Sequence, residues 1–188
     1  MKMIKIKILI LLLLVGTVAV NEKVNAQTEK DGTFYTLAVD PTFGGKGVIG
    51  ATIPPVALYV ERGIANFMSV GVAVGADLRK PTYTDETWVA LGLTLRAVGY
   101  AFQAVEEFSG DDISVAGLEP YFGLTFGQYW PTIGHSYGTY FSHSKLGIVL
   151  GTRWYPGDKK NFGVMAEFSS AGNTGWGSGI NLGVTFSR

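Results

Sequence analysis

Cysteine is absent from the 188-residue chain, which removes disulfide scaffolds, thiolate metal sites and thiol nucleophiles. Charge is scarce too: Asp, Glu, Lys and Arg make up 16% of the residues, against about 25% in an ordinary soluble domain. Basic and acidic residues balance at 15 each, so no basic stripe exists to bind nucleic acid. The only histidines are His135 and His143, and no acidic residue or cysteine at ligand spacing accompanies them. Neither a metal nor a cofactor is expected. Beyond the first 20 residues no apolar run reaches the length of a membrane-spanning helix. Gly45-Lys46-Gly47-Val48-Ile49-Gly50 has dinucleotide-loop spacing, but Pro54-Pro55 stands where the following helix would have to run.

What the chain does have is glycine, 26 residues without a Gly-X-Y period, together with 47% hydrophobic and 13% aromatic residues. Its first segment has the order of an export signal: Lys2, Lys5 and Lys7 precede an apolar stretch from Ile8 to Val20, and Val24-Asn25-Ala26 supplies a small residue at the cleavage position. Residues 1–26 are therefore expected to be a cleaved signal peptide and residues 27–188 the mature domain. Removing Lys2, Lys5, Lys7, Lys23 and Glu22 leaves 11 basic and 14 acidic residues, a net charge of −3.

From Phe34 onward the hydrophobic pattern has a period of two. Met68, Val70, Val72, Val74 and Ala76 fall on one face, and Ser69, Gly71, Ala73, Gly75 and Asp77 on the other. The split recurs at Leu91-Leu93-Leu95, Phe122-Leu124-Phe126, Leu146-Ile148-Leu150 and Ile180-Leu182-Val184. With the less regular Tyr35 to Phe43, Val56 to Glu61 and Phe162 to Ser169, the count is eight strands, an even number suited to closure. A soluble barrel would carry Lys and Glu on its second face. Here that face is Gly, Ala, Ser and Thr with isolated charges, a filling for a narrow interior. The bulky face must turn toward hydrocarbon, with Val70, Leu93, Ile148 and Leu182 pointing outward.

The fold class expected is all-β: a closed antiparallel eight-stranded transmembrane β-barrel behind a signal peptide. Aromatic residues near strand ends, among them Phe34, Tyr35, Tyr100, Tyr129, Trp130, Trp154 and Tyr155, are assigned to two interfacial girdles. With the amino terminus periplasmic, outer loops span Gly44 to Pro55, Leu78 to Thr87, Pro131 to Ser142 and Ser170 to Gly177. Inner turns span Arg62 to Asn66, Phe102 to Gly117 and Pro156 to Asn161, and the acidic second one reads as a solvated connection rather than a helix.

Several segments resemble the small outer-membrane β-barrel proteins of the porin-like family. They are Pro54-Pro55-Val56-Ala57-Leu58-Tyr59-Val60-Glu61-Arg62-Gly63 followed by the strand from Phe67, Glu119-Pro120-Tyr121-Phe122-Gly123-Leu124-Thr125-Phe126-Gly127, Gly151-Thr152-Arg153-Trp154-Tyr155 leading into Asn161-Phe162-Gly163-Val164-Met165-Ala166-Glu167, and Ile180-Asn181-Leu182-Gly183-Val184-Thr185-Phe186. The resemblance implies residence in the cell outer membrane, contact with outer-membrane lipid, insertion by the barrel assembly machinery and a monomeric state. Ser187 and Arg188 follow Phe186, where related barrels commonly end on an aromatic residue.

The chemistry-bearing residues are four inward charges, Glu61, Arg96, Arg153 and Glu167, expected to pair across the interior, with Tyr59, Tyr121 and Tyr155 adding hydroxyls. No catalytic residue is assigned. The function expected is a structural envelope or surface-interaction role. One alternative is a narrow porin-like channel running past the four charges; another is a rim-located lipid-modifying enzyme. The latter would use His143 and Ser144, but neighbours on a strand face opposite ways. A soluble lipocalin-like binder is the remaining fallback.

Overall fold

The computed structural model describes residues 31–40, 51–79, 88–111, 117–132, 143–156, 161–171 and 178–188. The segment expected to be a signal peptide and most of the expected outer loops lie outside the described residues. Eight strands are formed: β1 (Thr33–Val39), β2 (Ala51–Ala65), β3 (Met68–Arg79), β4 (Trp88–Tyr100), β5 (Leu118–Thr132), β6 (His143–Trp154), β7 (Phe162–Ser169) and β8 (Gly179–Ser187). Each pairs antiparallel with its sequence neighbour, and β8 pairs with β1 to close the barrel.

Pairing register fixes the barrel's dimensions. Trp154 pairs with Val164, and the path continues through Val184, Leu37, Leu58, Val74, Leu93 and Gln128. It returns to β6 at Ser144, ten residues from its start. With ordinary strand spacing and rise, that offset over eight strands tilts them by about 40° and sets a backbone radius of about 8 Å. Such a cylinder has room for side chains and little else.

Alternation then sorts the residues. On β7, Val164, Ala166 and Phe168 are exposed, whereas Gly163, Met165, Glu167 and Ser169 are buried. Val70, Leu93, Ile148 and Leu182 all point outward, with 38–50% of each exposed. The barrel thus has apolar side chains outside and Thr, Ser, Glu, Arg and Tyr inside, the reverse of a soluble protein.

Five sequence expectations are corrected. Pro54 and Pro55 belong to β2 rather than to a loop; the β2–β3 ladder shifts register between Ile53 and Val56, and such an irregularity accommodates residues lacking an N–H. Likewise Pro131 lies in β5, and β2 continues to Ala65, leaving only Asn66 and Phe67 as the turn. The acidic connection begins with a helix, α1 (Ala101–Ser109), rich in good helix formers. It is closed by Gly110 at φ 75°, whose N–H donates to Glu106 O at 2.9 Å. Finally, Phe34, Tyr100, Tyr129 and Tyr155 are buried inside the barrel. Strand-end position does not decide a face; parity does. Trp130 near one rim, and Trp154 and Phe162 near the other, are exposed.

Candidate functional site in the barrel interior

The four interior charges expected from the sequence, Glu61, Arg96, Arg153 and Glu167, come from β2, β4, β6 and β7 and meet in one cluster. Arg96 stands between two carboxylates: its Nε lies 2.8 Å from Glu61 Oε1, and its Nη2 lies 2.6 Å from Glu167 Oε2. Arg153 Nη2 reaches Glu61 Oε2 at 2.6 Å from the opposite wall. The order Arg153–Glu61–Arg96–Glu167 alternates in sign and sums to zero. All four side chains are at most 1% exposed.

Neutral groups add hydrogen bonds to the cluster, although Arg153 Nε has no hydrogen-bond partner among the described residues. Glu61 Oε2 accepts from Ser69 Oγ at 3.3 Å and from the Tyr100 hydroxyl at 3.4 Å. Glu167 accepts from the Tyr121 hydroxyl at 2.9 Å and from Asn181 Nδ2 at 3.5 Å. Arg153 donates to the Tyr100 hydroxyl, and its guanidinium carbon lies 5.2 Å from the ring centres of both Phe34 and Tyr121. Arg96 stacks over the Tyr59 ring at 4.6 Å. Aromatic faces and carboxylates together replace the water that a buried guanidinium would otherwise lose.

Two glycines make this packing possible. Gly71 of β3 lies in register between Glu61 and Arg96, and a methyl there would sit 2.7 Å from Glu61 Cγ. Gly151 of β6 lies between Tyr121 and Glu167, and a methyl there would strike the Tyr121 ring. In both places an empty slot on the middle strand lets side chains two strands apart touch.

Tyr59, Tyr121 and Tyr155 are all buried, but the Tyr155 hydroxyl finds no hydrogen-bond partner among the described residues. Sequence reasoning left Asp77 and Glu119 out of the interior charges, yet both are 1% exposed. Their parity was the available signal: Glu119 shares a face with Tyr121, and Asp77 with Ser69 and Ala73. The uncharged partners Tyr100 and Asn181 were missed as well, because only their neighbours across the barrel reveal their role.

Beside the Arg96–Glu167 pair, a cavity of about 10 Å³ is lined by Ala57, Tyr59, Ala73, Thr94 and Thr125, among others. That is room for about one water molecule. At the rim, Ser144 donates to Gln128 Oε1 at 2.6 Å, so its proton is directed at an amide oxygen. His135 lies outside the described residues. No group of three or more potential metal ligands occurs among the described residues.

A closed antiparallel eight-stranded cylinder with an apolar exterior and a packed polar interior has the fold of a small outer membrane β-barrel. No family model and no curated protein sequence matches the chain. Among solved structures it is similar to the N-terminal β-barrel domain of Pseudomonas aeruginosa OprF, with TM-score 0.56 and 13% identity over 85% of this chain and 98% of that one. It is also similar to the outer membrane protein AlkL in lipid bilayers, with TM-score 0.52 and 10% identity over 89% and 96% of the two chains. Neisserial surface protein A aligns with TM-score 0.51 and 12% identity over 84% and 97%. At these identities the likeness is one of fold.

Proposed function

We propose that this protein is an integral, monomeric component of the bacterial outer membrane, delivered by a signal peptide ending at Ala26 and inserted by the barrel assembly machinery. Its role is structural or surface-interacting rather than catalytic. The observation that carries the proposal is the sorting of side chains: Leu95, Phe122, Leu124, Leu146 and Leu150 are each more than half exposed, while Glu61, Arg96, Arg153 and Glu167 are enclosed. In water this arrangement would leave a large apolar surface uncovered. In a bilayer it is the stable one.

Neutral pairing and the 10 Å³ cavity support a sealed interior over a conducting one. Cell fractionation tests the membrane assignment: recovery in the outer-membrane fraction, with mobility that changes on heating in detergent, is expected. Release without detergent would overturn it. In planar bilayers the protein is expected to stay silent where a porin control conducts, and stepwise conductance would replace the sealed interior with a channel.

A further inference from the structure

The feature that an envelope barrel does not require is α1. Ala101, Val105 and Phe108 fall at i, i+4 and i+7 and form one apolar stripe along the helix. Gln103 lies on the opposite side, and its amide oxygen is buried. Val105 is 39% exposed and Phe108 77%. Glu106 and Glu107 are exposed as well, so the helix leaves a greasy stripe uncovered beside its charged residues instead of packing that stripe against the barrel.

Its attachment to the rim is specific. Asn66 Nδ2 donates to Glu107 Oε2 at 3.1 Å, and the rings of Phe67 and Phe108 lie 5.2 Å apart. Both contacts hold the carboxyl-terminal half of α1 against the β2–β3 turn. The stripe is continuous with the barrel's outward surface at that rim, where Ile64 and Phe122 are 46% and 60% exposed, and Phe122 pairs with Gly99 one residue before the helix cap at Tyr100.

We propose that α1 is an interfacial anchor that lies along the periplasmic leaflet with Ala101, Val105 and Phe108 in the boundary between headgroups and acyl chains. This rests on the membrane reading above. Nine residues, about 13 Å of helix, can lie on a bilayer but not cross it. Two large side chains are also too small a patch for a stable protein partner, which needs about 800 Å² on each side. Continuity with the belt selects lipid as the occupant. Glu106 and Glu107 give no attraction to anionic headgroups, so the anchoring is apolar and indifferent to salt.

The lack of native cysteine allows single-site labelling. Phe108→Cys, Val105→Cys, Glu106→Cys and Leu124→Cys, each carrying an environment-sensitive fluorophore, are refolded into phosphatidylcholine vesicles and checked for heat-modifiable mobility. Labels at 105 and 108 are expected to be quenched by spin-labelled lipid near the headgroup. They should also be about fivefold less sensitive to aqueous iodide than the label at 106, at low and high salt alike. Equal iodide quenching at 105, 106 and 108 overturns the anchor. So does protection from both quenchers, which would mean that protein covers the stripe. The label at 124 separates the two proposals: if spin-labelled lipid fails to quench it, the membrane reading itself falls.

Discussion

Arg96 is the most informative residue to perturb, because it alone bridges both carboxylates at close range. Two opposite charges about 4 Å apart attract by about 4 kcal/mol at an effective dielectric constant near 20. Arg96 has two such partners, Glu61 at 2.8 Å and Glu167 at 2.6 Å. Much of that attraction offsets the cost of taking the ions out of water, and truncating one member of a buried pair costs about 3–5 kcal/mol. Arg96→Met leaves the network with a charge of −1 and strands Glu167, whose remaining partners are the neutral Tyr121 and Asn181. With a urea slope of about 2 kcal/mol per molar, the unfolding midpoint should fall by roughly 1.5–2.5 M. Adding Glu167→Gln restores neutrality while keeping the bonding of Tyr121 and Asn181 feasible. The double variant should therefore be more stable than Arg96→Met alone, with a coupling of at least about 2 kcal/mol. Unfolding in lipid vesicles, followed by heat-modifiable mobility and by the fluorescence of the four tryptophans, measures all three midpoints. Additive losses, or a single-variant loss under about 1 kcal/mol, would refute the claim that these ions depend on one another.

Glu61→Gln keeps side-chain shape but removes the charge shared by Arg96 and Arg153. A loss of about 3–5 kcal/mol is expected in the same unfolding assay, and a neutral result would contradict it. Gly151→Val drives a branched side chain into the Tyr121 ring and should cost about 1–3 kcal/mol; Ala166→Val, which builds the same side chain on the exposed face of β7, should leave the midpoint within about 0.5 kcal/mol. Leu124→Arg places a cation midway along the outward face of β5, where 57% of Leu124 is exposed. Refolding into vesicles should weaken by about 2–4 kcal/mol, while solubility in detergent should not change; an unaffected bilayer midpoint would argue that this face does not meet hydrocarbon.

The strands were legible in the sequence because a two-residue period with bulky apolar groups on one side has few structural readings. Closure and outward orientation followed from what the second face lacked. Strand ends were harder. Pro54 and Pro55 read as loop because a ladder normally excludes residues without an N–H, and only the irregular pairing beside them shows how β2 accommodates both. Aromatic residues at strand ends were misassigned wherever proximity to a rim was weighed above parity, as for Phe34 and Tyr100. The helix was hidden by Glu106 and Glu107, whose charge signalled solvation, while the spacing of Ala101, Val105 and Phe108 carried the opposite signal. For the interior, parity identifies which charges point inward. It does not identify which of them touch, because that depends on Gly71 and Gly151 and on a ten-residue offset accumulated around the barrel.

On the membrane reading proposed above, fixing this register is the role we assign to the costly charges at the barrel's centre. Lipid does not drive the outward residues together as water would, so a strand displaced by one position would keep its hydrogen-bond ladder and lose little packing outside. The interior removes that degeneracy. A one-residue slip of β2 turns Glu61 from Arg96 and Arg153 toward hydrocarbon; a slip of β4 does the same to Arg96, and a slip of β7 to Glu167. Each error exposes an ion to lipid and leaves its partner buried alone, a combined cost of several kcal/mol. Because Glu61, Arg96, Arg153 and Glu167 sit on strands spread around the wall, the cluster ties non-neighbouring strands to one register. When whole pairs are replaced, stability measurements would see only the small net worth of each pair, whereas misfolding yield should respond to the larger penalty. A variant in which all four residues are replaced by Met, Gln or Leu of matched volume should therefore retain a midpoint within about 2 kcal/mol of the parent while refolding into more than one heat-modifiable species. A single species at full yield would show that backbone pairing alone sets the register.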